Sequence, residues 1–260
     1  MWKPGANGSN IKQEEPFMNI IVSKNQEELA EKAALTVKEL VSKNPKATLG
    51  LATGSSPLEL YAHLASYCRE GLSFSEVKSF NLDEYIACPI VEQTYAYFMK
   101  ENLFSKIDIR LENTHFPNQK DPEAYDAEIE EAGGVDLQIL GIGRNGHIGF
   151  NEPGTSHDSK THIIDLTEST RSANARFFRN DIDLVPTQAV SMGLSTIMKA
   201  RKIVLIANDV TKAEPIAALL MKKKTLDVPA TVLLDHPDCD VFLTEDVYEA
   251  AKKLVEASHD

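Results

Sequence analysis

Cysteine is scarce. Cys68, Cys88 and Cys239 are scattered with no CxxC pair. An odd, dispersed set excludes a disulfide framework and fits reduced thiols in a cytoplasmic protein. Metal-ligand spacing is missing as well: His63, His115, His147, His157, His162, His236 and His259 form no HxH or HExxH pattern, so no metal is expected. No apolar run approaches the ~18–20 residues a membrane span needs. The opening MWKPGANGSNIKQEEPF has no apolar core of the kind a signal peptide carries. These residues, 1–17, read as a disordered tail or leader before a start at Met18. Positive charge is in deficit: 27 Lys and Arg stand against 39 Asp and Glu, a net charge of −12. That argues against nucleic acid or an anionic membrane as the main partner. It also means that an anionic substrate requires a local cluster of cations.

What is present is an ordinary soluble composition, 42% hydrophobic and 25% charged over 260 residues. From Met18 onward strands and helices alternate. MNIIVS, ATLGLA (47–52), VKSFNL (77–82), DLQILGIG (136–143), THIIDLT (161–167), RKIVLIAN (201–208), TVLLDH and DVFLTED read as strands. Amphipathic helices fall at 25–44, 56–71, the YAYFMKENLF region, PEAYDAEIEEAGG, TKAEPIAALLMKKK and VYEAAKKLVEAS. The alternation predicts one catalytic α/β domain over 18–260: a doubly wound, mostly parallel, Rossmann-like sheet flanked by helices. In such sheets ligands bind beyond the carboxyl ends of the strands. The chemistry should therefore lie where strands end in polar motifs.

GIGRNG (141–146) fits the G-x-G-x-x-G dinucleotide fingerprint, which needs a helix to follow. The next residues, HIGFNEPGTSHD, hold Gly149, Pro153 and Gly154, and a helix cannot comfortably run through them. Asp165 imitates the ribose-binding acid by distance alone. No dinucleotide site, and no cofactor, is expected.

Four strand ends remain. In LATGSSPLELY, Ser56, Pro57 and Glu59 read as a capping box with proline opening the helix. Thr53, Gly54, Ser55 and Ser56 then form a turn suited to an anion such as phosphate; a well-capped βα turn would carry the same residues. In SFNLDEY, Asp83 or Glu84 faces the pocket mouth as a general base, or serves as a cap. In GIGRNGHIGFNEPG, the glycines present His147, and Glu152 can return to hydrogen-bond the imidazole with Asn145 close by, although a structural histidine would fit too. In LIANDVTKAE, Thr211 and Glu214 read as a second capping box. They put Lys212 in a helix's first turn, where an anionic ligand would offset the misplaced cation. The segment 169–193, with Arg171, Arg176 and Arg179, suits a lid at about 162–190 whose arginine clamps phosphate. A base, a separate acid/base and an anion site, with no nucleophile, fit proton shuttling beside the carbonyl of a phosphorylated metabolite.

TGSSP, FNLDEY, the NGHIGFNEP loop, TRSANARFF and the later TKA together resemble the glucosamine-6-phosphate deaminase family, in its order and from about Met18 to the last helix. The resemblance implies conversion of glucosamine 6-phosphate and water to fructose 6-phosphate and ammonia. It implies that Asp83 moves a proton between C2 and C1, that His147 opens the pyranose ring, supported by Glu152 and Asn145, and that Thr53 to Ser56, Arg176 and Lys212 hold the phosphate. Many members carry aspartate where this chain has Asn145, which implies a lower pKa for its histidine. Longer members are activated by N-acetylglucosamine 6-phosphate through basic residues matched here by His162 and Ile164. Their absence implies no such activation and a monomer or small homo-oligomer. A 6-phosphogluconolactonase is the nearest alternative, set apart by the glutamate of FNEP. A non-catalytic sugar phosphate-binding regulator is disfavoured by the intact Asp83, His147 and Glu152. Preference for glucosamine over its galactosamine epimer is not legible.

Overall fold

The computed structural model describes residues 17–258; the expected disordered tail lies almost wholly outside them. In chain order the elements are β1 (Phe17–Ser23), α1 (Gln26–Lys43), β2 (Thr48–Leu51), α2 (Leu58–Arg69), β3 (Lys78–Asn81), β4 (Asp83–Tyr85), α3 (Tyr95–Asn102), β5 (Thr114–His115), α4 (Pro122–Glu131) and β6 (Leu137–Gly141). There follow β7 (His162–Asp165), α5 (Glu168–Asn174), β8 (Gln188–Ser191), α6 (Leu194–Ile197), β9 (Lys202–Ala207), α7 (Ala213–Leu220), β10 (Asp238–Thr244) and α8 (Glu245–Ala257).

Among the described residues seven strands form one sheet in the order β1-β10-β9-β6-β2-β3-β5, every pairing parallel. This is the doubly wound sheet that the alternation predicts. Its inner strands are buried on both faces: Leu49, Leu51, Ile139, Leu140 and the run Ile203–Ala207 are all core. α1 shows how the helices attach. Asn25 caps it by accepting from the Glu28 amide, and Leu29, Ala30, Ala33, Ala34, Val37 and Val41 fall on one face at helical spacing and are buried. The strand order reverses between β2 and β6. There the end of β6 meets the turn after β2, and a side chain at Gly141 would touch Ser56 at 3.7 Å.

β4, β8 and β7 form a second, antiparallel three-stranded sheet over its own small core, which contains Tyr85, Phe150, Leu166, Phe178, Val185 and Ala189. The strand expected at THIIDLT thus exists as β7 but belongs here and not to the parallel sheet. TVLLDH is not a strand: Pro229–Asp235 is 3₁₀-helical. The Thr231 hydroxyl donates to the carbonyls of Thr225 and Val228 and accepts from the Thr225 amide, so side-chain bonding holds that segment in turns.

Candidate active site

A cleft of about 420 Å³ opens at the carboxyl ends of β2 and β6, with β4 as one wall. Thr53, Gly54, Ser55, Ser56, Asp83, His147, Arg176 and Lys212 all line it. Five segments distant in sequence thus meet at the place a doubly wound sheet offers a ligand.

The turn after β2 departs from the capping expectation. α2 starts at Leu58 with Pro57 as its cap residue and no side-chain capping bond. Ser56 is left to face the cleft instead. The second capping box is also unformed. Asp209 does that work by accepting from the Thr211 amide, and Lys212 becomes the cap residue of α7, half-buried at the cleft. Burial pulls its ammonium below the ordinary lysine range, with Arg144 and Arg176 adding like-charge repulsion against the pull of Asp209. Of the candidate arginines, Arg171 is committed elsewhere, donating to the carbonyls of Ile182 and Val185. Arg176 is exposed, stacks its guanidinium over Phe177 at 4.6 Å and lines the cleft.

The two adjacent carboxylates of SFNLDEY separate because they sit on a strand, β4, where successive side chains point to opposite faces. Asp83 faces the cleft and is 7% exposed. Its carboxylate accepts no hydrogen bond among the described residues. Burial pushes its pKa up to about 8, and the Glu84 charge adds to the rise. Glu84 turns the other way, onto α3.

The glycine loop holds His147 by geometry. A Cβ at Gly143 would sit 2.1 Å from the imidazole, so only glycine lets the ring lie against that backbone. Gly149 has φ +58°, and a Cβ there would lie 2.9 Å from the Ser191 hydroxyl. After Gly146 the chain turns back rather than forming a helix. Asn151 donates to the carbonyls of Ile148 and Met192, pinning the FNEP segment to the end of β8. Asp165 is spent on Gln188 within the small sheet.

Behind the histidine the contact differs from a direct His147–Glu152 hydrogen bond. Nδ1 meets Asn145 Oδ1 at 2.6 Å, Asn145 Nδ2 donates to Glu152 Oε2 at 2.6 Å, and Nδ1 to Glu152 Oε1 is 3.7 Å. Asn145 is therefore a relay. Because Oδ1 accepts, Nδ1 carries the proton and Nε2 keeps a lone pair. Thr170 of α5 donates to the other Glu152 oxygen at 3.2 Å. Burial lowers the pKa of His147; Glu152 raises it and Lys212 lowers it further. Asn145→Asp is expected to move the imidazole pKa upward, because a second carboxylate then faces the ring. Titration of the ring by NMR would check it.

Sequence reasoning missed the far wall, which includes Glu92, Tyr95 and Phe98 together with Tyr85, Asn174 and Phe177. Tyr85, Tyr95 and Phe150 pack together, Tyr85 to Tyr95 at 4.8 Å and Tyr95 stacked on Phe150 at 6.0 Å. Asn174 donates to the Tyr85 hydroxyl at 3.1 Å. The aromatic residues around DEY and YAYF were the available signal, and they read equally well as core. Among the described residues no group of three or more His, Cys, Asp or Glu could hold a metal ion, and no helix is long and apolar enough to cross a membrane.

A sequence profile of the glucosamine-6-phosphate isomerases/6-phosphogluconolactonase family matches residues 23–242. Glucosamine-6-phosphate deaminase of Thermoanaerobacter pseudethanolicus is 48% identical over 237 residues, covering 88% of this chain and 93% of its own. That of Shouchella clausii is 46% identical over 250 residues, 93% of this chain and all of its own. The solved structure of a monomeric glucosamine-6-phosphate deaminase superposes with a TM-score of 0.85 at 37% identity, covering 90% of this chain and 100% of that one. A 6-phosphogluconolactonase from Trypanosoma cruzi shares the fold, with a TM-score of 0.72 at 17% identity over 90% of this chain and 97% of its own. The chain belongs to the glucosamine-6-phosphate isomerase/6-phosphogluconolactonase family.

Proposed function

We infer that this protein is an enzyme that converts glucosamine 6-phosphate and water to fructose 6-phosphate and ammonia. The observation that carries the reading is a buried carboxylate, Asp83, with no hydrogen bond among the described residues, in one cleft with a histidine whose far nitrogen is tied off by Asn145.

The turn Thr53–Ser56, with Arg176 and Lys212, would take the phosphate dianion; these cations meet the condition that the chain's net negative charge sets. Arg176, just past α5, would bring a lid of about 162–190 over the bound sugar. His147 Nε2 would take the proton of the C1 hydroxyl and return it to the ring oxygen. The C1–O5 bond breaks as the C1 aldehyde forms, and the imidazole ends as it began. Asp83 would then remove the proton from C2, leaving an enol shared by C1 and C2, and deliver it to C1, while a proton passes from the C2 ammonium group to O1. The product of that transfer is an imine at C2. Water adds there and ammonia leaves, giving the ketose. No redox change occurs, so the sequence of steps needs no cofactor.

The 6-phosphogluconolactonase likeness, at under 20% identity, supports the fold alone. The deaminase reading is favoured by the relatives near 48% identity and by the Asn145–Glu152 relay behind the histidine. Three free thiols support a cytoplasmic setting, and the monomeric relative supports a monomer or small homo-oligomer. The direct test supplies glucosamine 6-phosphate without metal or nucleotide and follows ammonia and fructose 6-phosphate separately. Equal release of both is expected, with hyperbolic rates that N-acetylglucosamine 6-phosphate leaves unchanged. Hydrolysis of 6-phosphogluconolactone without release of either product would give the site to the lactonase.

A further inference from the structure

Glu84 adjoins Asp83 in sequence, and the steps above give it nothing to do. Its side chain nonetheless holds three backbone donors. Oε1 accepts from the amides of Tyr85 at 2.8 Å and Tyr95 at 2.9 Å, and Oε2 accepts from Ala96 at 2.8 Å. Thr94, the cap residue of α3, takes the Tyr97 amide at 3.2 Å. The free amides of the first turn of α3 are thereby consumed, two of them by a carboxylate from a neighbouring strand. A helix N-terminus carries partial positive charge and attracts an anion. β4 sends one carboxylate, Glu84, to this helix end and the other, Asp83, to the cleft.

We propose that Glu84 is a positioning residue for turnover: by taking the donors of α3 it keeps that helix end away from Asp83, leaving the Asp83 carboxylate unbonded and free to accept a proton in the cleft. The proposal rests on Asp83 acting as the base. Two effects run in the same direction. The Glu84 charge opposes a second charge on the next residue, and it offsets the helix end that would otherwise make Asp83 more acidic. Burial raises the Glu84 carboxyl itself while the three amides hold it down. Other titratable groups bear on Asp83 or share its cleft: Tyr85 on its strand, Tyr95 from α3, Tyr125 from α4, Glu92 ahead of α3, His147 from the glycine loop, and Arg176 and Lys212 at the anion end. The tyrosines are held neutral by burial, and the two cations are present in every variant below. A shift seen on changing Glu84 alone is therefore not theirs.

The test compares pH profiles of kcat/KM for wild type and Glu84→Gln. The amide keeps one oxygen for Tyr85 and Tyr95 but presents N–H to the Ala96 amide and removes the charge. The acid limb is expected to move down by about one pH unit or more, with a lower kcat at the optimum. A purely structural role would lower activity at every pH and leave the limb in place, and that result would overturn the proposal. If Glu84→Gln is recovered unfolded, Thr94→Asp decides. It adds charge at the same helix end while strengthening the cap, and is expected to move the limb upward; an unmoved limb overturns the proposal there too. Asp83→Asn is run alongside. Full turnover in that variant would remove the base itself, whereas an inactive Asp83→Asn with an unmoved Glu84→Gln limb would remove only the role given to Glu84.

Discussion

Asp83→Asn is expected to lower kcat by about 10²–10⁴-fold and, in the same protein, to raise the melting temperature at pH 8. The first effect follows from removing the only cleft carboxylate on β4, since an amide cannot take the C2 proton. KM should change little, because the residues proposed to hold the phosphate lie elsewhere. The second follows from burial. The carboxyl is displaced from its ordinary value of 3.8 up to about 8, so the folded state holds a proton that the unfolded chain releases. Whatever stability that proton brings is complete below pH ~4 and is lost as pH rises towards 8. Wild type therefore carries an unpaired buried charge at pH 8, while asparagine carries none. Each unit of displacement corresponds to about 1.4 kcal/mol, and a protein of this size gains ~2–4 °C per kcal/mol. Calorimetry should find the mutant's advantage at pH 8 well above that at pH 5. An equal advantage at both would mean that Asp83 is not the source of strain. A cleft carboxylate held against its solvation preference is one recognised form of the trade between activity and stability.

His147→Gln is expected to lower kcat by about 10²-fold and to change which step limits the rate. Ring opening needs one group that takes a proton from O1 and gives it to O5. Glutamine can hold the Asn145 contact but cannot carry that proton. Proton transfer at C2, the step proposed for Asp83, is untouched. With 2-deuterated substrate, any isotope effect shown by wild type should collapse towards unity in the mutant, because ring opening then precedes and outlasts the deuterium-sensitive step. A retained isotope effect with reduced kcat would place His147 at the C2 transfer instead. The depressed imidazole pKa, caused first by burial, keeps Nε2 unprotonated down to lower pH than an ordinary histidine allows. The acid side of the wild-type profile should accordingly report Asp83 more than His147.

The parallel sheet was legible because its strands are apolar on both faces and alternate with amphipathic helices. The residues that converge on the cleft were legible because they sit at strand ends, where this topology puts ligands. Other features were hidden for definite reasons. The Ser56–Glu59 and Thr211–Glu214 pairs satisfy the spacing of a capping box, yet each local backbone finds another solution, Pro57 in one and Asp209 in the other. Spacing records what a side chain could bond, not what outcompetes it. The small sheet was invisible because its strands have three or four residues each and pair across long intervals of chain. Whether Asp83 or Glu84 faced the cleft could not be decided until β4 appeared, since a strand's alternation is what separates them. The Asn145 relay was half legible: the three residues were expected together, and only the direction of the Asn145 side chain shows that it stands between the other two.

Among the described residues the first strand of the large sheet is also its edge, and its one partner there is β10. Asn19 donates to Asp240 across a separation of 221 residues. During synthesis β1 must therefore wait until β10, 221 residues further on, has emerged before it can pair, and it closes a correspondingly long loop. Docking of β1 should be a late event in folding. Until then, the side of β10 that β1 covers is an open strand edge, the form of surface by which nascent chains find one another instead of themselves.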